Sequence, residues 1–218
     1  MSRSPLATGV ALAQRSWLRQ RCGRSGFLVL TYDDGPGTRL TPRLLDSLAA
    51  REARATFFPL GSRACAAPSV LDRVVGAEHE IGCHGYAHVN AAECPRGRAA
   101  EDIDLGYQAL AQWVGPRGLF RPPYGKLSGE SWRALRRRRA PLGWWTVDSR
   151  DALREPPSIA PALAAVERAG GGVVLMHDFD RDPPEPRREQ FVLELTAALL
   201  DLAERRRWTV ATLGEVLA

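Results

Sequence analysis

Apolar, β-branched runs alternate with amphipathic helical runs along most of the chain, and this alternation limits the fold more than any other feature. Strands are predicted over 27–32 (FLVLTY), 54–58 (RATFF), 79–83 (HEIGC), 118–121 (GLFR), 142–147 (LGWWTV), 172–176 (GVVLM) and 208–211 (WTVA). Helices are predicted over 41–52, 68–76, 97–113, 128–138, 157–168 and 187–206, with Thr41-Pro42 and Ser128 as start signals. Such repetition calls for a parallel sheet with helices outside it, either closed as a barrel or open and doubly wound. No G-x-G-x-x-G follows the first strand, which lowers the dinucleotide-binding version.

In parallel α/β architectures the chemistry gathers at the carboxyl ends of the strands. The first strand is followed by Asp33, Asp34, Gly35 and Pro36. The third is followed by HGYAH (84–88), the fourth runs into RPPYG (121–125), the fifth into DSRD (148–151) and the sixth into His177 and Asp178. Taken singly, DDGP is a turn, HGYAH a loop with two surface histidines, RPPYG a stiff proline turn and HD a helix cap. Together, at strand ends of one sheet, they form a coherent set. Two imidazoles and one carboxylate make a three-ligand metal site that leaves positions for water and substrate. Adjacent carboxylates diverge at a strand end, so one aspartate can bind metal while the other receives a proton. Arg121 beside the base would keep it ionised, and His177 could protonate a leaving amine if a carboxylate keeps it charged.

The rest of the composition is consistent with this. At 218 residues and 44% hydrophobic, the chain can bury one sizeable core. No apolar run reaches the roughly 18–20 residues that cross a bilayer. The net charge of +5 is almost wholly arginine, with Lys126 the only lysine. The runs 136–139 and 205–207 fall at helix ends, where arginines satisfy terminal carbonyls, so no nucleic-acid partner is expected. Cys22, Cys65, Cys83 and Cys94 include no C-x-x-C pair and are expected as free thiols.

These motifs resemble those of the polysaccharide deacetylase family, the carbohydrate esterases with the NodB-homology domain. TYDDGP (31–36) is similar to the family's first motif, HGYAH to its H-(S/T)-x-x-H, RPPYG to R-P-P-(Y/F), DSRD to D-x-x-D-W and VLMHD (174–178) to its histidine-bearing strand end. ATFFPLG (55–61) and WTVATLGEVL (208–217) also resemble family segments. The resemblance implies a distorted (β/α) barrel of about seven parallel strands with outer helices, spanning 26–218 after an extension over 1–25. It implies metal-dependent removal of an N-acetyl, or sometimes O-acetyl, group from a sugar. Carried over, Asp33 matches the catalytic base and Asp34, His84 and His88 the metal ligands. Arg121 matches the residue orienting the base. His177 matches the general acid, supported by Asp151 or, as second choice, Asp148. Tyr124 matches a backbone amide holding the oxyanion and Leu175 the apolar floor under the acetyl methyl. Pro123 and Trp145 are further candidates for the substrate pocket. The implied metal is zinc, with cobalt, nickel or manganese tolerated.

Three positions depart from the family pattern. Tyr32 replaces Phe. Gly85 replaces Ser or Thr, so His84 is expected to be held more loosely. Ala152 replaces a tryptophan and leaves one wall of the acceptor pocket open to question; Trp144 and Trp145 could compensate, but are read first as barrel packing. Two alternatives stay open: hydrolysis of another small amide, such as a formamide or cyclic ureide, and a catalytically silent carbohydrate-binding member. No export signal is read before residue 26, so a cytoplasmic enzyme on a small or carrier-linked N-acetylated sugar is expected. A start further upstream would return secretion and polymeric substrates.

Overall fold

The computed structural model describes residues 5–115 and 117–218, with side chains from residue 9 onward. Residues 1–4 of the predicted extension lie outside the described residues. The elements run α1 (Pro5–Ser25), β1 (Phe27–Asp33), α2 (Leu40–Ala49), β2 (Thr56–Phe58), α3 (Gly61–Ala66), α4 (Pro68–Gly76), β3 (Glu80–Ile81), α5 (Arg98–Ala109), a 3-10 turn (Pro123–Gly125), α6 (Gly129–Arg138), β4 (Val147–Asp148), α7 (Ala160–Ala169), β5 (Gly172–His177), α8 (Pro186–Arg206), β6 (Thr209–Val210) and α9 (Leu213–Leu217).

All strand pairings are parallel, in the order β3-β2-β1-β5-β4, with β6 joining the start of β1. β1 and β5 form the spine. Both are buried on both faces, as expected of a parallel sheet covered by helices. Beyond β3 the ladder continues through bridges of Phe120 to Cys83 and to Leu142. The segment holding Leu142 then reaches β4, which returns to β5, so the sheet closes into a distorted (β/α) barrel.

Among the described residues the sheet has six strands, where about seven were expected. The predicted strand 118–121 pairs only at Phe120, and 142–147 splits into a bridge at Leu142 and the two-residue β4. Pro122, Pro123 and Pro141 flank these segments and cannot donate to a ladder, which explains the shortening. Phe58 fills the barrel where the ladder is sparse. A Cβ on Gly82 or Gly143 would meet its ring at 2.5 and 2.6 Å, so both positions need glycine for close approach.

Ser128 caps α6 as its sequence suggests, through a capping box with Ser131. Thr41 lies inside α2 instead; the α2 start is capped by Asp180, which accepts from the Arg39 and Leu40 amides. The arginine runs do lie at the ends of α6 and α8, where Arg138 pairs with Asp104 and Arg206 with Glu167. Among the described residues no helix is long and apolar enough to cross a membrane.

Residues 5–25 form one long helix whose Leu18 and Cys22 are fully buried. The Gln14 amide donates to the Leu142 carbonyl at 3.0 Å, and the Arg15 guanidinium lies 4.1 Å over the Trp145 ring. Leu18→Ala is therefore expected to destabilise the whole domain by about 2–5 kcal/mol. Thermal or denaturant unfolding measures this. A loss below the range of surface substitutions would detach α1 from the core.

Candidate active site

β1 carries Asp33 to the rim of the barrel in register with His177 at the end of β5. Backbone geometry then separates the two aspartates. Asp33 keeps strand conformation, while Asp34 turns into the left-handed region at φ 68°. Their carboxylates face different partners. Asp33 Oδ1 accepts from Arg121 Nη1 at 2.7 Å, whereas Asp34 Oδ1 lies 3.4 Å from His84 Nε2 and 3.3 Å from His88 Nε2.

Arg121 is fully buried. Its guanidinium donates to Asp33, to Thr31 Oγ1 and, through Nε, to the Gly143 carbonyl, and it stacks 4.1 Å over Phe58. Burial pushes the Asp33 carboxyl above the usual carboxylate range, with Arg121 opposing. Asp33 is thus a stronger base than a surface aspartate, with a fixed cation beside it.

Asp34, His84 and His88 offer three donor atoms within 4.8 Å of one another. Burial, the largest influence, holds His84 at about 3, so its ring is neutral. Its Nδ1 lies 2.7 Å from the Arg121 carbonyl, which can only accept, so the ring proton sits on Nδ1 and Nε2 is a bare lone pair. That lone pair faces Asp34 Oδ1, which is buried and lacks a hydrogen-bond partner among the described residues. Two acceptors pointed at one spot with no proton between them fit a cation.

His177, the register partner of Asp33, lines the same cleft. Its Nδ1 lies 2.9 Å from Asp151 Oδ1, and its backbone N–H donates to Asp151 Oδ2 at 3.0 Å. Burial alone would lower His177, but the Asp151 carboxylate outweighs it and, with Asp33 and Asp34, raises it to about 9. Burial likewise works to raise Asp151, yet His177 and Arg188 pull it below the usual carboxylate range.

Of the two candidate supporting carboxylates, Asp151 touches His177. Asp148 is exposed on the rim, and its Oδ1 accepts the Arg150 amide at 2.8 Å. Leu175, Tyr124 and Trp145 line one cleft of about 820 Å³ with Asp33, Asp34, His84, His88 and His177. The Tyr124 ring is 58% exposed and centred 4.4 Å from that of His88. Pro123 is buried and does not line the cleft; Pro122 takes the lining position instead. Trp144 is core packing, while Trp145 forms wall.

Three supporting residues lie outside the sequence motifs. Arg188 is buried in the first turn of α8 and donates to Asp151 Oδ2, to the His177 carbonyl and to the Phe179 carbonyl. Arg63 donates to the Asp34 carbonyl at 2.5 Å. Asp102, buried on α5, accepts the amides of Tyr86 and Ala87 at 3.1 and 2.8 Å, inside the loop that carries both histidine ligand candidates. Arg188 and Asp102 share one detectable signal: each is a charge on the buried stripe of an amphipathic helix, Arg188 with Phe191, Val192 and Leu195, Asp102 with Ala99, Ile103 and Gly106.

The polysaccharide deacetylase family model matches residues 20–142. The chain is 30% identical over 195 residues to a peptidoglycan-N-acetylglucosamine deacetylase of Bacillus cereus, covering 88% of each. This chain belongs to the polysaccharide deacetylase family. It is also 33% identical over 157 residues to peptidoglycan-N-acetylmuramic acid deacetylase PdaC of Bacillus subtilis, covering 71% of this chain but only 32% of that protein. Among solved structures, a family 4 carbohydrate esterase from Streptomyces lividans in complex with acetate superposes with a TM-score of 0.72. Its identity is 28%, over 85% of this chain and 92% of that one.

Proposed function

We propose that this polysaccharide deacetylase hydrolyses the N-acetyl group of an aminosugar with the help of a divalent metal held by Asp34, His84 and His88. The carrying observation is the bare His84 Nε2 facing the unpartnered Asp34 Oδ1, in one cleft with Asp33, paired to Arg121, and His177, paired to Asp151. The names of the two curated relatives, deacetylases of N-acetylglucosamine and N-acetylmuramic acid in peptidoglycan, support the substrate class.

When bound, a metal (zinc first, with cobalt, nickel or manganese as substitutes) supplies a Lewis acid and a water of lowered pKa. Asp33 takes the proton of the attacking water, with Arg121 fixing its carboxylate. Leu175 supports the acetyl methyl, and the Tyr124 amide is assigned to the acyl oxygen. His177, protonated through Asp151, gives its proton to the departing amine nitrogen. Acetate and a free amine leave. The test is acetate release by purified, metal-loaded protein from N-acetylated oligosaccharides. Sugar binding without acetate release would instead make it a binding member, and formate release would move it to formamides.

The sign of the basic limb follows from His177. An acid must be protonated, so kcat/KM is expected to fall as pH rises through about 9. His177→Ala should lower the rate by about 10²–10⁴-fold. Asp151→Asn removes the strongest raising influence and should move the basic limb down toward the ordinary histidine value of about 6.5. A limb that stays in place in both variants excludes His177.

The cytoplasmic location stays part of the proposal. It is supported by four unpaired cysteines, Cys22 and Cys83 among them buried. Fractionation of cells carrying the native gene tests it, and mature protein outside the membrane overturns it.

A further inference from the structure

The cleft that holds the reactive groups has a cationic rim that the deacetylation chemistry does not use. Lys126 follows the 3-10 turn, and Arg150 sits in the loop between β4 and α7; both line the cleft. Arg181 lines it too, but its guanidinium is spent on both oxygens of Glu185 and on the Ala152 carbonyl. Among the described residues neither Lys126 nor Arg150 forms a side-chain ion pair.

One carboxylate shares this rim. Asp148 is directed into its own turn, where Oδ1 accepts the Arg150 amide and Arg150 adopts φ 62°. Asp148 is thereby tied to backbone and forms no ion pair with either cation. Deeper in, the Asp33 charge is matched by Arg121 and the Asp151 charge by His177 and Arg188. Ala152 and Leu153, which follow Arg150 closely in the chain, also line the cleft, and Leu153 is half exposed. A cleft of about 820 Å³ also has room for more than one sugar ring.

We infer that the preferred substrate is an anionic N-acetylated saccharide, whose acidic group, on the reacting sugar or its neighbour, lies against Lys126 and Arg150. This rests on the deacetylase reading and deepens it. The shared chemistry is a single oxyanion, carboxylate or phosphate. Two separate cations on a partly wet rim match an acid held at a distance from the reacting amide. The overall charge of +5 would steer such a ligand toward the protein.

The test compares three N-acetylglucosamine-containing oligosaccharides of equal length: one neutral, one with lactyl carboxylates, one with a terminal phosphate. At low salt, kcat/KM for an acidic substrate is expected to exceed that for the neutral one, and the advantage should shrink as salt screens the rim. Lys126→Ala and Arg150→Ala should each lower the acidic-to-neutral ratio about two- to fivefold. Lys126→Glu should lower it further. The arm with the larger advantage distinguishes carboxylate from phosphate. Equal rates on all three, or a ratio the variants do not move, overturn the inference. Absence of acetate release from every arm would instead defeat the deacetylase reading. The rim would then still be judged by the affinity of Asp33→Asn protein for acidic against neutral oligosaccharides, where equal affinities overturn it.

Discussion

Asp33→Asn is expected to cut kcat by about 10²–10⁴-fold while the protein keeps its metal. The exchange preserves shape and leaves an amide oxygen that can still accept from Arg121, but it removes the basic lone pair. Asp33 is not among the three clustered donors; its Oδ2 lies 3.8 Å from His84 Nε2, further than Asp34 Oδ1. Metal content should therefore survive. Stability should not be spared. Arg121 has no exposure and would lose its counter-charge, and breaking a buried pair from one side costs up to about 3–5 kcal/mol. Asp34→Asn should do the opposite: metal is lost, and the Asp33–Arg121 pair is untouched. Elemental analysis of both variants, alongside acetate release and unfolding curves, decides the assignment. Retention of metal by Asp34→Asn and its loss from Asp33→Asn would exchange the two roles.

The same pair shows what a sequence can and cannot reveal. Polar residues placed after apolar runs were enough to bring Asp33, Asp34, His84, His88 and His177 into one cleft, with Arg121 buried against Asp33, because parallel strands must end on one face. Which aspartate faces the histidines could not be read from spacing. It depends on Asp34 entering the left-handed region, a choice made by the turn and by Arg63 on its carbonyl. The short strands fall below their expected length for a related reason: GLFR and LGWWTV have strand composition, but prolines beside them remove ladder donors. α1 leaves no clear sequence signal because its apolar positions are weakly periodic, and only tertiary packing of Leu18 and Cys22 fixes it. Arg188 and Asp102 were legible in principle. A charge on a buried helical stripe must find a partner, and each found backbone beside a candidate site residue, Asp102 at Ala87 and Arg188 at His177.

Asp102 carries the second large effect. Gly85 stands where the family's second motif has a hydroxyl, and that loss suggested a loosely held His84. The structure shows another support. The Asp102 carboxylate accepts the amides of Tyr86 and Ala87, and Gly106 brings α5 so close that a Cβ there would meet the Gly85 carbonyl carbon at 2.6 Å. Gly85 itself has φ 84°, and any Cβ at this position would run into Asp102 Oδ2. The glycine and the buried carboxylate therefore form one device, and neither can be altered alone. Gly85→Ser, although it restores the family residue, is expected to strain the backbone and displace Asp102. Asp102→Asn keeps the shape but swaps part of an acceptor for a donor facing two N–H groups. Both variants should weaken metal affinity about 10–100-fold, the usual cost of losing support behind a ligand. Competition with a chromophoric chelator measures this directly, without reference to turnover. Tighter metal binding and a higher melting temperature in Gly85→Ser would show that the loop is held by something other than Asp102.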